Sequence, residues 1–216
     1  MNSTSRKAVV HRAGHLVLRT CNEDGCNSTE IDVFDLLGSL NGRTDLPAQI
    51  PSPLYPLLNQ INAAASGGLH LIAIGMAVAL PAICASLAME NGRSQGKEYK
   101  DWCAANLTGP EFSFVTPDDL YSMRCGVLHQ GRYGDLQHNV ARVVFAPPNG
   151  ASFTNCKFDD AYIYGVVEFC KNLCDAAFKW HEANKADPIV VANSKRMMQY
   201  YPEGLAPYII GMPVIA

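Results

Sequence analysis

The stretch DLYSMRCGVLHQGRYG, residues Asp119–Gly134, carries its apolar side chains at helical spacing. Residues three and four apart share one face of a helix, so Leu120, Met123, Val127 and Leu128 make a single apolar stripe. Thr116, just ahead of it, suits an N-cap, Pro117 the first helical position, and Asp118 and Asp119 the positive end of the helix dipole. Gly131 is the expected stop. The segments on both sides must then supply the surface that buries this stripe.

Upstream, PLYPLLNQINAAAS predicts a helix stopped by Gly67-Gly68, followed at once by LHLIAIGMAVALPAICASLAM, Leu69 to Met89, which has no charged residue. That run is long enough to span a bilayer. It is also diluted by Ala and Gly, carries His70 and Pro81, and has no aromatic belt at either end. The two readings are the central helix of a soluble bundle and a membrane-associated segment at residues 69–89, the first being the main expectation. Pro81 should remove one backbone hydrogen bond and bend the axis. KEYKDWCAANL is a shorter helix presenting Tyr99, Trp102 and Cys103; the two aromatics could stack on a base or pack in a core.

Downstream, NVARVVFAPPNGASFTNC changes period, and its Pro-Pro-Asn-Gly turn between two extended runs predicts a β-hairpin over about Val140 to Cys156. DDAYIYGVVEFCKNLCDAAFKWHEANK then reads as an amphipathic helix from Asp159 or Asp160, with Ile163, Val166, Val167, Cys170, Cys174, Ala177 and Phe178 on its apolar stripe. The expected fold is therefore mainly α, a four- to five-helix bundle with one inserted β-hairpin, over residues 53–186. Residues 1–50 read as a partly irregular N-terminal extension, with a strand in GHLVLRT and a short amphipathic helix in STEIDVFDLLGSLNG that aligns Ile31, Phe34, Leu37 and Leu40. RTDLPAQIPSP reads as a linker, and residues 187–216 as a C-terminal tail.

The formal charge of −3 and pI near 6.0 give no global basic field, so contact with nucleic acid would have to come from a local cluster. The eight cysteines are scattered and form no CxxC pair, and none stands beside His or carboxylates at zinc-like spacing. No metal or other cofactor is expected. The thiols read as buried and reduced, as in a cytoplasmic protein. CNEDGC could close a small disulfide loop in a secreted chain, but MNSTSRKAVVHRAGHLVLRT lacks a continuous apolar signal segment.

Within the apolar stripe of the opening stretch stands Arg124, four residues from both Leu120 and Leu128. A buried guanidinium needs a carboxylate, backbone carbonyls or an anion. His129 lies five residues on, about 140° further round the helix. One reading is structural, with Arg124 snorkelling or bridging helices and His129 at the helix end. The other is a phosphate-handling site, in which arginine grips a phosphodiester and histidine moves a proton near neutral pH. Two side chains that diverge this far could meet across a two-fold axis. Gln130 and Arg132 would extend such a phosphate-binding patch, or simply form a solvated helix end.

MRCGVLH resembles the R-x4–6-H pattern of the HEPN superfamily. The wider run ALPAICASLAMENGRSQGKEYKDWCAANL with DDLYSMRCGVLHQGR is similar to an uncharacterised bacterial family with a Y-x-x-W helix and an LYxxRCxxLHxG helix. The resemblance covers about Leu69 to Trp180. It implies a helical bundle of HEPN-like type, a homodimer, and a metal-independent endoribonuclease with catalytic residues Arg124 and His129 in a composite dimer site. A toxin or defence setting and an antitoxin-like protein partner follow from the same resemblance. The alternative it leaves is a non-catalytic module binding a nucleotide, RNA or protein. Two positions depart from the pattern: Cys125 follows the arginine where the family commonly has a polar residue, and Ala82 stands where its closer relatives have an acidic one.

Overall fold

The chain divides into two units, Met1–Ile50 and Pro51–Ala216. The computed structural model describes residues 6–12, 15–22, 25–32, 52–133, 142–148 and 155–216. The N-terminal unit holds an antiparallel sheet of β1 (Arg6–Arg12), β2 (His15–Asn22) and β3 (Gly25–Asp32) in the order β1-β2-β3. The expected strand in GHLVLRT is β2. Ile31 lies in β3 and not in a helix: the strand pairing takes it up, and the register sets β-branched Ile31 and Thr29 opposite Leu16 and Leu18. Phe34, Leu37, Leu40 and residues 43–51 of the expected linker lie outside the described residues.

The second unit is mainly helical. Its helices are α1 (Leu54–Ser66), α2 (His70–Leu87), α3 (Gly96–Asn106), α4 (Pro117–Gln130), α5 (Val166–Asn184) and α6 (Pro188–Ser194). The apolar run is the hub: α2 packs against each of the other five. Its Ala73, Ala77 and Ala85 are buried and small, so the neighbouring helices can come close, while Ile74, Val78, Leu80 and Cys84 fill the space between them. At Gly75 a Cβ would stand only 3.6 Å from Val127 of α4. Each large apolar side chain sequestered here contributes about 1.5–3 kcal/mol relative to exposure. By length and a mean hydropathy of 2.0 the helix could cross a bilayer, yet 56% of it is buried in the bundle. The exception is its start, where Leu69, Leu71 and Ile72 face outward.

The β-rich run is paired differently from the expected hairpin. β4 (Arg142–Ala146) and β5 (Cys156–Phe158) do not pair with one another; each pairs with β6 (Ala161–Gly165), β4 parallel and β5 antiparallel, in the order β4-β6-β5. AYIYG is therefore a strand, and α5 begins at Val166 rather than at residue 159 or 160. The physical reason is that Tyr162 and Tyr164 both turn into the core, Tyr162 stacking on Phe114 at 4.6 Å and Tyr164 meeting Phe169 at a tilt at 5.0 Å, an alternation only a strand gives. From Val166 on, the expected stripe holds at Cys170, Cys174 and Ala177, whereas Val167 is half-buried and Phe178 is exposed beside Tyr55.

The residues expected to form a tail belong to the second unit. Asp187 caps α6, accepting from the amides of Ile189 at 2.7 Å and Val190 at 3.3 Å. Asn193 of α6 then donates its side-chain amide to the carbonyls of Leu87 at 3.1 Å and Met89 at 2.8 Å, satisfying two acceptors at the end of α2. Beyond it, β7 (Tyr200–Tyr201) pairs with β10 (Val214–Ile215), and β8 (Gly204–Leu205) with β9 (Ile209–Ile210).

Candidate functional site

The local sequence sets α4 as expected. Thr116 Oγ1 accepts from the Asp119 amide at 3.2 Å, the Asp119 carboxylate accepts from the Thr116 amide at 3.3 Å, and Gly131 ends the helix at φ 65°. Leu120 and Met123 are wholly buried, so the helix cannot rotate without emptying the core. This anchoring fixes where Arg124 and His129 leave the backbone.

The two predicted residues meet within one chain. Arg124 Nη1 lies 3.3 Å from His129 Nε2 and 3.9 Å from Cys125 Sγ. Their Cα positions diverge as helix geometry requires, but the long arginine stem spans the roughly 7.5 Å rise between them, so no two-fold axis is needed for the encounter. For the 3.3 Å contact to be a hydrogen bond, Nε2 must be unprotonated and the imidazole proton must sit on Nδ1. Arg124 is half-buried, with its Nε buried and lacking a hydrogen-bond partner, and it forms no ion pair among the described residues. The carboxylate that a buried guanidinium calls for is thus not supplied at this position; Ala82 of α2 offers only its carbonyl, which accepts from Ser94 Oγ at 2.8 Å.

The expected phosphate-binding neighbours are drawn to each other. Arg132 Nε, just past the helix, donates to Gln130 Oε1 at the exposed end of α4 at 2.7 Å. Tyr99 and Trp102, the candidate base-stacking pair, are core residues. Tyr99 donates its hydroxyl to the carbonyls of Val78 at 2.9 Å and Leu120 at 3.3 Å, and Trp102 meets Trp180 edge-on at 6.4 Å.

Tyr121 is the residue the sequence reading missed. Its pKa is raised, with the neighbouring Cys125 as the largest cause. Gly96 at the start of α3 makes room, since a Cβ there would stand 2.8 Å from the Tyr121 ring. The signal was present in the spacing: Tyr121, Cys125 and His129 stand at i, i+4 and i+8, one polar line beside the apolar stripe. Lys100 of α3, paired with Asp118 at 2.9 Å, also acts electrostatically on Tyr121.

A second titratable cluster lies between α1 and α5. The Tyr55 hydroxyl donates to Glu182 and lies 3.3 Å from His181 Nδ1. Burial and the Glu182 bond push Tyr55 up to about 12. His181 is held below its ordinary value by burial. Among the described residues no group of three or more His, Cys, Asp or Glu side chains is gathered for a metal. At α4, a guanidinium such as that of Arg124 can bind an anion and an exposed imidazole such as that of His129 can exchange a proton. No family model, curated protein or solved structure matches this chain.

Proposed function

We propose that this protein is a metal-independent endoribonuclease of the HEPN type, acting through Arg124 and His129. The observation that carries the reading is the 3.3 Å approach of a guanidinium nitrogen to an imidazole nitrogen at the exposed C-terminal end of α4. Arginine is suited to two oxygens of a phosphodiester, and an exposed histidine to a proton. On binding, Arg124 exchanges its bond to Nε2 for the phosphate and frees that nitrogen. Nε2 then takes the proton of the ribose 2′-hydroxyl, the 2′-oxygen attacks phosphorus, and the 5′-oxygen leaves with a proton returned by the same histidine. Gln130 and Arg132 extend the contact along the RNA backbone.

The functional unit in this proposal is a homodimer, cytoplasmic, with α4 beside the two-fold axis. The outward Leu69 ahead of α2, with Leu71 and Ile72 in its first turn and exposed Leu128 of α4, offers apolar surface for a second copy or an antitoxin-like protein. A second reading, a non-catalytic module that binds a nucleotide, RNA or protein, is favoured by one observation: Arg124 has no carboxylate to hold it in place among the described residues. The test is incubation with RNA in excess EDTA. Cleavage leaving 2′,3′-cyclic phosphate ends supports the enzyme, and His129→Ala should cost about 10²-fold or more in rate with the fold intact. RNA retained uncut by the parent protein would instead establish the binding module.

A further inference from the structure

We propose that Cys21 and Cys26 form a reversible disulfide across the β2–β3 hairpin, a modification site independent of the function proposed for α4. The register sets Asn22 opposite Gly25 and Cys21 directly opposite Cys26. In an antiparallel ladder, directly opposed residues have Cα atoms roughly 4.5 or 5.5 Å apart, according to the type of pair. Disulfides join residues whose Cα atoms are about 4.4–6.8 Å apart, so either type of pair lies within reach. A register slip of one residue would end the opposition, which ties the bond to this pairing and no other.

The other described cysteines are poorly placed to compete. Cys84, Cys103, Cys170 and Cys174 are free and buried. Burial raises the pKa of all four, which suppresses the thiolate that attacks a disulfide. Cys125 and Cys156 are half-buried free thiols on separate elements, α4 and β5. Only Cys21 and Cys26 are set directly opposite one another by a strand register among the described residues.

The oxidant is a small-molecule disulfide. The thiolate of one cysteine attacks a sulfur of that molecule, its S–S bond breaks, and one small thiol leaves, giving a mixed disulfide. The opposed thiolate then attacks the protein sulfur of the mixed disulfide and expels the second small thiol. Two protein thiols are oxidised, one disulfide is reduced to two thiols, and the two protons pass to the departing sulfurs. In a reducing compartment the pair is a dithiol; under a disulfide oxidant it locks the hairpin.

The experiment equilibrates the full chain with excess oxidised glutathione, quenches with N-ethylmaleimide, denatures and digests with trypsin. Cleavage after Arg19 and Arg43 leaves both cysteines in one peptide, Thr20–Arg43, with no other cysteine. The expected product is that peptide two hydrogens lighter than its dithiol and carrying no maleimide, returning to the doubly alkylated form after dithiothreitol. In Cys21→Ser the remaining Cys26 should carry glutathione or maleimide. A parent peptide that bears two maleimides, or glutathione on either cysteine as the end product, would overturn the proposal.

Discussion

Replacing Arg124 separates a residue that holds the fold from one that serves a site. A buried, ion-paired arginine costs about 3–5 kcal/mol to remove, because its partner is left uncompensated. Here Arg124 forms no ion pair among the described residues, and its Nε is already buried without a partner. Arg124→Ala loses the packing of a half-buried stem, about 1 kcal/mol, at roughly 0.8 kcal/mol for each fully buried methylene. It also removes an unsatisfied buried donor, worth about 1–3 kcal/mol. The net runs from no change to a gain of about 2 kcal/mol, so the variant should be at least as stable as the parent, with a Tm higher by up to about 4–8 °C for a chain of this size. Arg124→Met keeps the stem and should match or exceed the parent's Tm. Thermal unfolding followed by far-UV circular dichroism measures both, and RNA cleavage by the same samples should be lost in both. A fall of more than about 6 °C in Arg124→Ala, not restored in Arg124→Met, would refute the reasoning by showing a charge partner broken.

The remaining predictions concern stability. His181 is held below 6.5 in the folded protein, so the folded state binds fewer protons than the unfolded chain; its contribution is present above pH 6.5 and is lost as pH falls through the folded value. Tm should therefore drop between pH 7 and pH 5, and His181→Gln should flatten that part of the profile, while an NMR titration midpoint for His181 at or above 6.5 would contradict it. Asn193→Ala leaves the carbonyls of Leu87 and Met89 without their donor and should cost about 1–3 kcal/mol in urea unfolding. A neutral result there would mean that water replaces the amide.

How much of this was legible beforehand depended on whether the deciding force was local. The caps of α4 follow from Thr116, Pro117, Asp119 and Gly131, whose preferences act within one turn, and both ends stand where those residues place them. The burial of Leu120 and Met123 follows from period alone. Residues 161–165 are ambiguous in the sequence because Ile163, Val166 and Val167 fit a helical stripe as well as Tyr162 and Tyr164 fit a strand. The choice between them is made by β4, which pairs from about twenty residues away and is silent in a local window. The Arg124–His129 encounter was hidden for a different reason: spacing gives the direction in which a side chain departs, not where four rotatable bonds carry its tip.

The hub position of α2 also has a temporal side. Its sheltering partners α3, α4 and α5 all follow it in the chain, and α5 ends only at Asn184. At about 5–20 residues per second of synthesis, the roughly one hundred residues after Leu87 take about 5–20 s to emerge. For that interval the ribosome presents an uncharged apolar segment with nothing yet made to cover its far side. Transiently exposed apolar surface is what makes a partly made chain prone to aggregate, so the order of the helices along the chain sets how long that exposure lasts.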